Sequence, residues 1–279
     1  MVRSVILLSL AVAVLWLPPG TASAGLRTSA ATDLIASFKE RASRGERVAQ
    51  FNLGVAYQFG RGVERDLDRA VHWYRAAADK GHAPAQFNLG WLAAEAGDKN
   101  EAFELYRRAA SQGFAAAQQA LALAYRYGEG TRVNESEAYR WALKAAEQGH
   151  VPAQYDVGLA YDLGQGVARD LAQAAAWWER AASQGHAEAQ YNLGMMRAHG
   201  EGIEKDAVLA AALFSQAAEQ EHGQAQMQLA AAYANGKGVT RDLLLAHHWM
   251  ARAADNGVAD AALLRDVLAQ KLVASTGQD

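Results

Sequence analysis

Four histidines, His82, His150, His186 and His222, fall at one recurring position of the 279-residue chain. A ladder of imidazoles could hold a metal or titrate near neutral pH. Ligands of a single zinc ion place their nitrogens about 2 Å from the metal, whereas packed helices lie about 8–10 Å apart. Neighbouring rungs therefore cannot share an ion, and the position reads as turn-forming. His247-His248 is a helical pair whose members diverge by about 100° and reads as surface. Gly128-Glu129-Gly130 and Gly200-Glu201-Gly202 each offer one acid, too few for a calcium loop. Asn134-Glu135-Ser136 fits a glycosylation sequon but reads more strongly as a helix start.

Other chemistries lack their residues. The chain has no cysteine, which removes disulfides, thiolate catalysis, cysteinyl metal sites and an N-terminal lipidated cysteine. No His-Glu-x-x-His, phosphate loop, dinucleotide fingerprint or Ser-x-x-Lys occurs. The expectation is no enzyme, no cofactor and no metal. At 51% hydrophobic and 20% charged residues the chain can bury a core, and disorder is excluded. A net charge of −3 and a pI near 6.2 argue against a dedicated nucleic-acid binder.

Residues 1–24 read as an address. Met1 and Arg3 precede an apolar run from Val5 to Leu17, broken by Pro18-Pro19-Gly20 and followed by Ala22-Ser23-Ala24. This is the pattern of a secretory signal peptide. The run is too short for a spanning helix, which needs about 20 residues, so the cleaved chain is expected not to span a membrane. Residues 25–32 read as a mobile linker and 275–279 as a frayed tail.

The elements that must position any site come from repetition. Ala49-Gln50-Phe51-Asn52-Leu53-Gly54 returns at Ala85, Ala153 and Ala189, with weaker copies at Ala117 and Ala225. Six units follow, at 49–84, 85–116, 117–152, 153–188, 189–224 and 225–260. Each predicts two helices. The first ends at a glycine such as Gly60 or Gly164, able to adopt the left-handed conformation that closes a helix. The second starts at Asp66, Asp98, Asn134, Asp170, Asp206 or Asp242, whose side chain can accept from free backbone N–H groups. Small residues at the Gly54, Ala77 and Ala78 positions let helices approach, with the Tyr57 and Trp73 positions filling the space beside them. No unit buries that face alone, so units must stack. Residues 33–48 match a second helix only, with Leu34, Phe38 and Ala42 inward, and read as an N-terminal capping half-repeat. Residues 261–274 match a first helix, with Leu264, Val267, Leu268 and Leu272 on one apolar face, and read as a C-terminal cap. The second unit lacks four residues at its inter-helix turn, where Ala96-Gly97-Asp98 stands, and a local irregularity is expected there.

The pattern Ala-Gln-x-Asn-Leu-Gly-x-x-Tyr, Gly-x-Gly-Val, Asp, Ala-x-x-Trp-Tyr-x-x-Ala-Ala, Gly resembles the Sel-one-like repeat family, relatives of tetratricopeptide repeats with a longer inter-helix turn. Departures are Arg197 at the Tyr position, Leu105 and Leu213 at the Trp position, and Glu221 at the terminal Gly. The resemblance implies an all-α, right-handed α/α superhelical solenoid of stacked helix–turn–helix repeats acting as a non-enzymatic scaffold. In the tetratricopeptide relatives a second stripe of the first helix lines a concave groove. Carried over, that stripe is Phe51, Phe59, Phe87, Trp91, Gln119, Arg126, Tyr127, Tyr155, Asp162, Tyr191, Met195, His199, Met227 and Asn235. Burial against the neighbouring unit is the competing reading for the Phe51 and Val55 rows. The expected ligand is a protein or peptide, in envelope signalling or complex assembly. A cell-wall glycan stacked on Trp91 and the tyrosines is the alternative. A β-lactam hydrolase, a label of some cysteine-rich relatives, has no residue here to support it. The expected address is the periplasm, with full secretion or a eukaryotic secretory lumen as alternatives.

Overall fold

The computed structural model describes residues 24–276, and every regular element among them is an α-helix. α1 (Ala24–Ser43) is followed by helix pairs α2 (Arg47–Phe59) and α3 (Leu67–Asp79), α4 (Ala83–Glu95) and α5 (Lys99–Ser111), α6 (Ala115–Tyr127) and α7 (Glu135–Glu147), α8 (Val151–Leu163) and α9 (Leu171–Ser183), α10 (Ala187–His199) and α11 (Ala207–Glu219), α12 (Gly223–Asn235) and α13 (Leu243–Asp255), with α14 (Ala261–Thr276) last. The chain divides into two compact units after Asn134. The fold class is the predicted all-α helical repeat. The repeat lengths are as predicted, but each first helix starts two residues earlier than the Ala-Gln pair, at 47, 83, 115, 151, 187 and 223. The N-caps there are Glu46, His82, Phe114, His150, His186 and His222, residue types with no strong capping preference, so the start is poorly marked.

The signal-peptide expectation lies outside the described residues apart from Ala24. Residues 25–32, expected as a linker, continue α1; they hold no proline to break the helix. α1 buries Ile35, Phe38 and Ala42, with Leu34 half-buried against the core. α14 extends through Thr276, two residues into the expected tail, and residues 277–279 are outside the described range. Its inner face holds Ala261 and Leu268, whereas Leu264 and Val267, expected inward, are exposed.

Caps form as their chemistry requires. Asp66, Asp98, Asp170, Asp206 and Asp242 each accept from the backbone N–H three residues on, a bond whose loss costs about 1 kcal/mol. Gly60, Gly128, Gly164, Gly200 and Gly236 close the first helices in the left-handed conformation. Glu221 takes the same sign of φ without being glycine, at 63°. It is held by Arg252 and by an Asn256 Nδ2–H donating to its carboxylate at 3.1 Å.

Packing within a repeat sets a ring on a glycine. A Cβ at Gly54 would run into Tyr74, at Gly90 into Tyr106, at Gly158 into Trp178 and at Gly194 into Phe214. The filler is thus the residue after the expected Trp73 position, since its Cβ points at the first helix.

Packing between repeats uses the glutamine of the Ala-Gln pair. Gln86, Gln118, Gln154, Gln190 and Gln226 are buried. Each donates from Nε2 to a carbonyl in the last turn of the preceding repeat's second helix: Ala78, Ala110, Ala146, Ala182 and Ala218, at 3.0–3.3 Å. Each of these carbonyls also accepts from the backbone N–H three residues on, and the glutamine is its second donor. The Oε1 of Gln86, Gln154 and Gln190 accepts from Gln112, Gln184 and Gln220 at the end of its own repeat. Gln190→Leu keeps the volume but removes the side-chain bond to the Ala182 carbonyl, which retains the Gly185 N–H at 2.9 Å, and takes away the acceptor of the Gln220 amide. The expected cost is about 1 kcal/mol, read as a lowered urea midpoint by circular dichroism; an unchanged midpoint would remove the staple role.

A second interlock comes from the turns. The backbone of each long turn lies on the first residue of the preceding repeat's second helix. A Cβ at Gly130 would overlap the Lys99 carbonyl, one at Gly166 the Glu135 carbonyl, one at Gly202 the Leu171 side chain, and one at Gly238 the Ala207 carbonyl.

Candidate functional site

The predicted groove resolves into two rows with different fates. Phe51, Phe87 and Gln119 are buried and line no accessible groove. The ring of Phe51 packs on His82 at 4.8 Å, Phe87 on Phe114 at 5.5 Å, Tyr155 on His186 at 4.7 Å and Tyr191 on His222 at 4.8 Å. Behind these rings stand Tyr74, Tyr106, Trp178 and Phe214. Met227 is half-buried in a cluster with Val258, the residue at the histidine position of the last step. This row is the seam between repeats. The next repeat's N-cap ring covers it, an arrangement that no single-repeat helical wheel displays.

The histidines are structural, as expected, with a more specific role than turn formation. His82, His186 and His222 accept at Nδ1 from the backbone N–H of Ala85, Ala189 and Ala225 at 3.1–3.3 Å. Burial holds His82, His150 and His186 below the ordinary imidazole range, which favours the neutral ring that can accept. Among the described residues no group of three His, Asp or Glu side chains is placed to hold a metal ion.

The other row sits at the C-terminal ends of the first helices and stays open. Phe59 is 47% exposed, Tyr127 63% and Leu163 55%. Leu163 was not among the predicted residues, although its spacing from Tyr155 marks it as the Phe59 equivalent. The Arg61 guanidinium lies over the Phe59 ring at 5.3 Å. Arg126 and Asp162 are half-buried, and Asp162 faces Arg169 at 3.9 Å. Met195 is half-buried, and His199 and Asn235 are exposed. Asn235 turns its amide back onto the Ala231 carbonyl.

The short turn of the second repeat opens a notch in the first unit. α4 ends at Glu95 with Ala96 as its C-cap, Gly97 takes a φ of 91°, and Asp98 caps α5, so no long turn lies over Leu67. Gln58, Phe59, Arg65, Leu67, Trp91, Leu92 and Glu95 line a cavity of about 460 Å³. It joins Phe59 and Trp91, two of the predicted site residues. Its walls are an aromatic pair and two leucines, with one cation and one anion at the rim. Such a site binds by apolar contact and places polar groups at its edge for orientation.

The Sel1 repeat family model matches residues 47–82, 83–114, 115–150, 151–186, 187–222 and 223–258, in the phase of the helices. A solved protective antigen of uropathogenic Escherichia coli with an SLR fold is 34% identical, with a TM-score of 0.78 over 81% of this chain and 50% of that one. A Sel1 repeat protein from Oxalobacter formigenes is 35% identical, with a TM-score of 0.74 over 83% of this chain and 68% of that one. An uncharacterised protein of Neisseria meningitidis serogroup B is 34% identical over 92 residues, 33% of this chain and 20% of the relative. This chain thus spans half the length of the E. coli structure and a fifth of the Neisseria protein.

Proposed function

The chain belongs to the Sel1 repeat family, a family of repeat scaffolds that typically serve protein–protein interaction, and from that premise we propose that it is an exported, non-enzymatic adaptor of the bacterial envelope. The observation that carries the reading is the exposure of Phe59 and Tyr127 in the first unit, with Leu163 at the same repeat position in the second. These are large apolar side chains at equivalent places, left uncovered while the Phe51 row beside them is sealed between repeats. Aromatic anchors of this kind supply most of the energy in protein interfaces. Side chains fixed on helices also lose little entropy when a partner binds. The address rests on the pattern of residues 1–24, and the E. coli relative's description as a protective antigen accords with it.

Two measurements test this reading. N-terminal sequencing of the protein from the cells that make it is expected to begin at Gly25; a chain retaining Met1 would remove the export part. Crosslinking pull-down from the envelope fraction, run beside Phe59→Asp/Tyr127→Asp, is expected to retain a protein with the wild type and lose it with the variant. Both positions are exposed, so the variant keeps its helices. Capture of cell-wall fragments alone would transfer the function to glycan binding, and equal capture by both proteins would move the site off this row.

A further inference from the structure

We propose that the notch between the first and second repeats takes a loop of a partner protein with the sequence character Gly-x-Gly-aliphatic, replacing the turn that the second repeat lacks. The proposal rests on the adaptor reading and names its partner's chemistry.

The later steps of the array show what belongs there. At each of four steps the following repeat lays a glycine backbone on the first residue of the preceding second helix, at Lys99, Glu135, Leu171 and Ala207. The step from the fourth to the fifth repeat is the nearest counterpart, because its covered residue is also a leucine. There Gly202 lies on Leu171, and the adjoining Ile203 joins the apolar cluster that holds Tyr161 and Leu171. At the first step the corresponding Leu67 is 43% exposed and fronts the cavity with Phe59, Trp91 and Leu92. The surface is therefore built for a glycine backbone and an aliphatic side chain, and the chain itself supplies neither.

The residue between the glycines is Glu129, Gln165, Glu201 and Lys237 in the four steps, so charge does not fix it. Glu129 pairs with Lys99 at 3.2 Å in the step that it closes. At the notch Arg65, whose Nε–H donates to the Gln58 carbonyl at 3.2 Å, stands on one rim and Glu95 on the other. A glycine is required because a Cβ at the same place in the other steps collides with helix backbone or with the base of a side chain. A lipid or nucleic acid supplies no glycine backbone to lie on Leu67.

The probe is a labelled peptide copying residues 198–206, Ala-His-Gly-Glu-Gly-Ile-Glu-Lys-Asp, titrated into the full chain and followed by anisotropy. Saturable binding is expected, weakened about tenfold or more when the peptide's second glycine becomes alanine. Leu67→Glu is expected to abolish binding. It stays folded, because an acid suits the first turn of a helix. A variant carrying Gly-Glu-Gly-Ile inserted at the short turn should also lose the peptide, and should melt higher because the notch is filled within the chain. Equal binding of both peptides, or no saturation, would overturn the proposal. So would a concentration-dependent dimer that the inserted turn dissolves, which would give the notch to a second copy. In the pull-down, a partner held equally by wild type and the inserted-turn variant leaves the adaptor reading standing and removes the notch. Loss of the partner with that variant alone, helicity intact, supports both.

Discussion

Gly238→Ala is expected to destabilise the second unit by about 3 kcal/mol or more. Gly238 has a φ of 74°, where a Cβ costs about 1–2 kcal/mol. Its Cβ would also overlap the Ala207 carbonyl, and forced overpacking adds about 1–3 kcal/mol. The atom it meets is helix backbone, so a rotamer change gives no relief. Gly185→Ala separates the two contributions. It shares the sign of φ, at 86°, but has nothing within 4 Å of the added carbon, so only the conformational cost of about 1–2 kcal/mol is expected. Urea unfolding of both variants, with amide exchange at the start of α11, measures the difference. Equal losses would show that the turn does not clamp the preceding helix.

Acidification from pH 7.5 to 5 is expected to lower stability by up to about 2 kcal/mol before the carboxylates titrate. In the folded chain burial lowers the pKa of His82, His150 and His186. Arg47 pushes His82 further down, while Asp156 opposes the shift at His150, and Glu188 and Asp156 oppose it at His186. The unfolded chain therefore takes up protons first. Stability is full above the ordinary imidazole value of about 6.5 and falls from there until the lowered folded values are passed. A protonated Nδ1 cannot accept from Ala85 or Ala189, and two lost caps amount to about 2 kcal/mol. The urea midpoint at the two pH values tests this. In His82→Asn/His186→Asn, whose caps do not titrate, the pH dependence should shrink; an unaltered slope would place the acid response elsewhere.

The two-helix repeat, its second-helix caps and its glycine stops were legible in the sequence because each depends on a local residue preference. Asp66 or Asp170 has one strong use before a helix, and Gly164 one strong use after. The phase of the first helix was not legible, because His82 and Phe114 cap it without belonging to the residues that usually do so. The groove was half legible. Phe51 and Phe59 lie on one side of α2, so spacing alone treats them alike. Only the neighbouring repeat, which seats His82 over Phe51 and stops short of Phe59, separates seam from surface. Gln86 and its equivalents stood in the motif that revealed the repeats, yet their work is to join one repeat to the last, which a single unit cannot display. The missing turn was visible as a length difference; that it uncovers Leu67 follows only from where the other turns rest.

All three joining devices run in one direction. The buried glutamine, the glycine turn and the N-cap ring are each supplied by the later repeat to the one before it. A chain delivered N-terminus first, from a ribosome or through a translocation pore, therefore always carries one unfinished repeat at its trailing edge. Its open helix ends and bare rings are closed only by the next stretch of about 36 residues. At the first step that stretch arrives four residues short, 32 against 36, and Leu67 keeps in the finished protein an exposure that Leu171, its leucine counterpart, loses in part when Gly202 arrives.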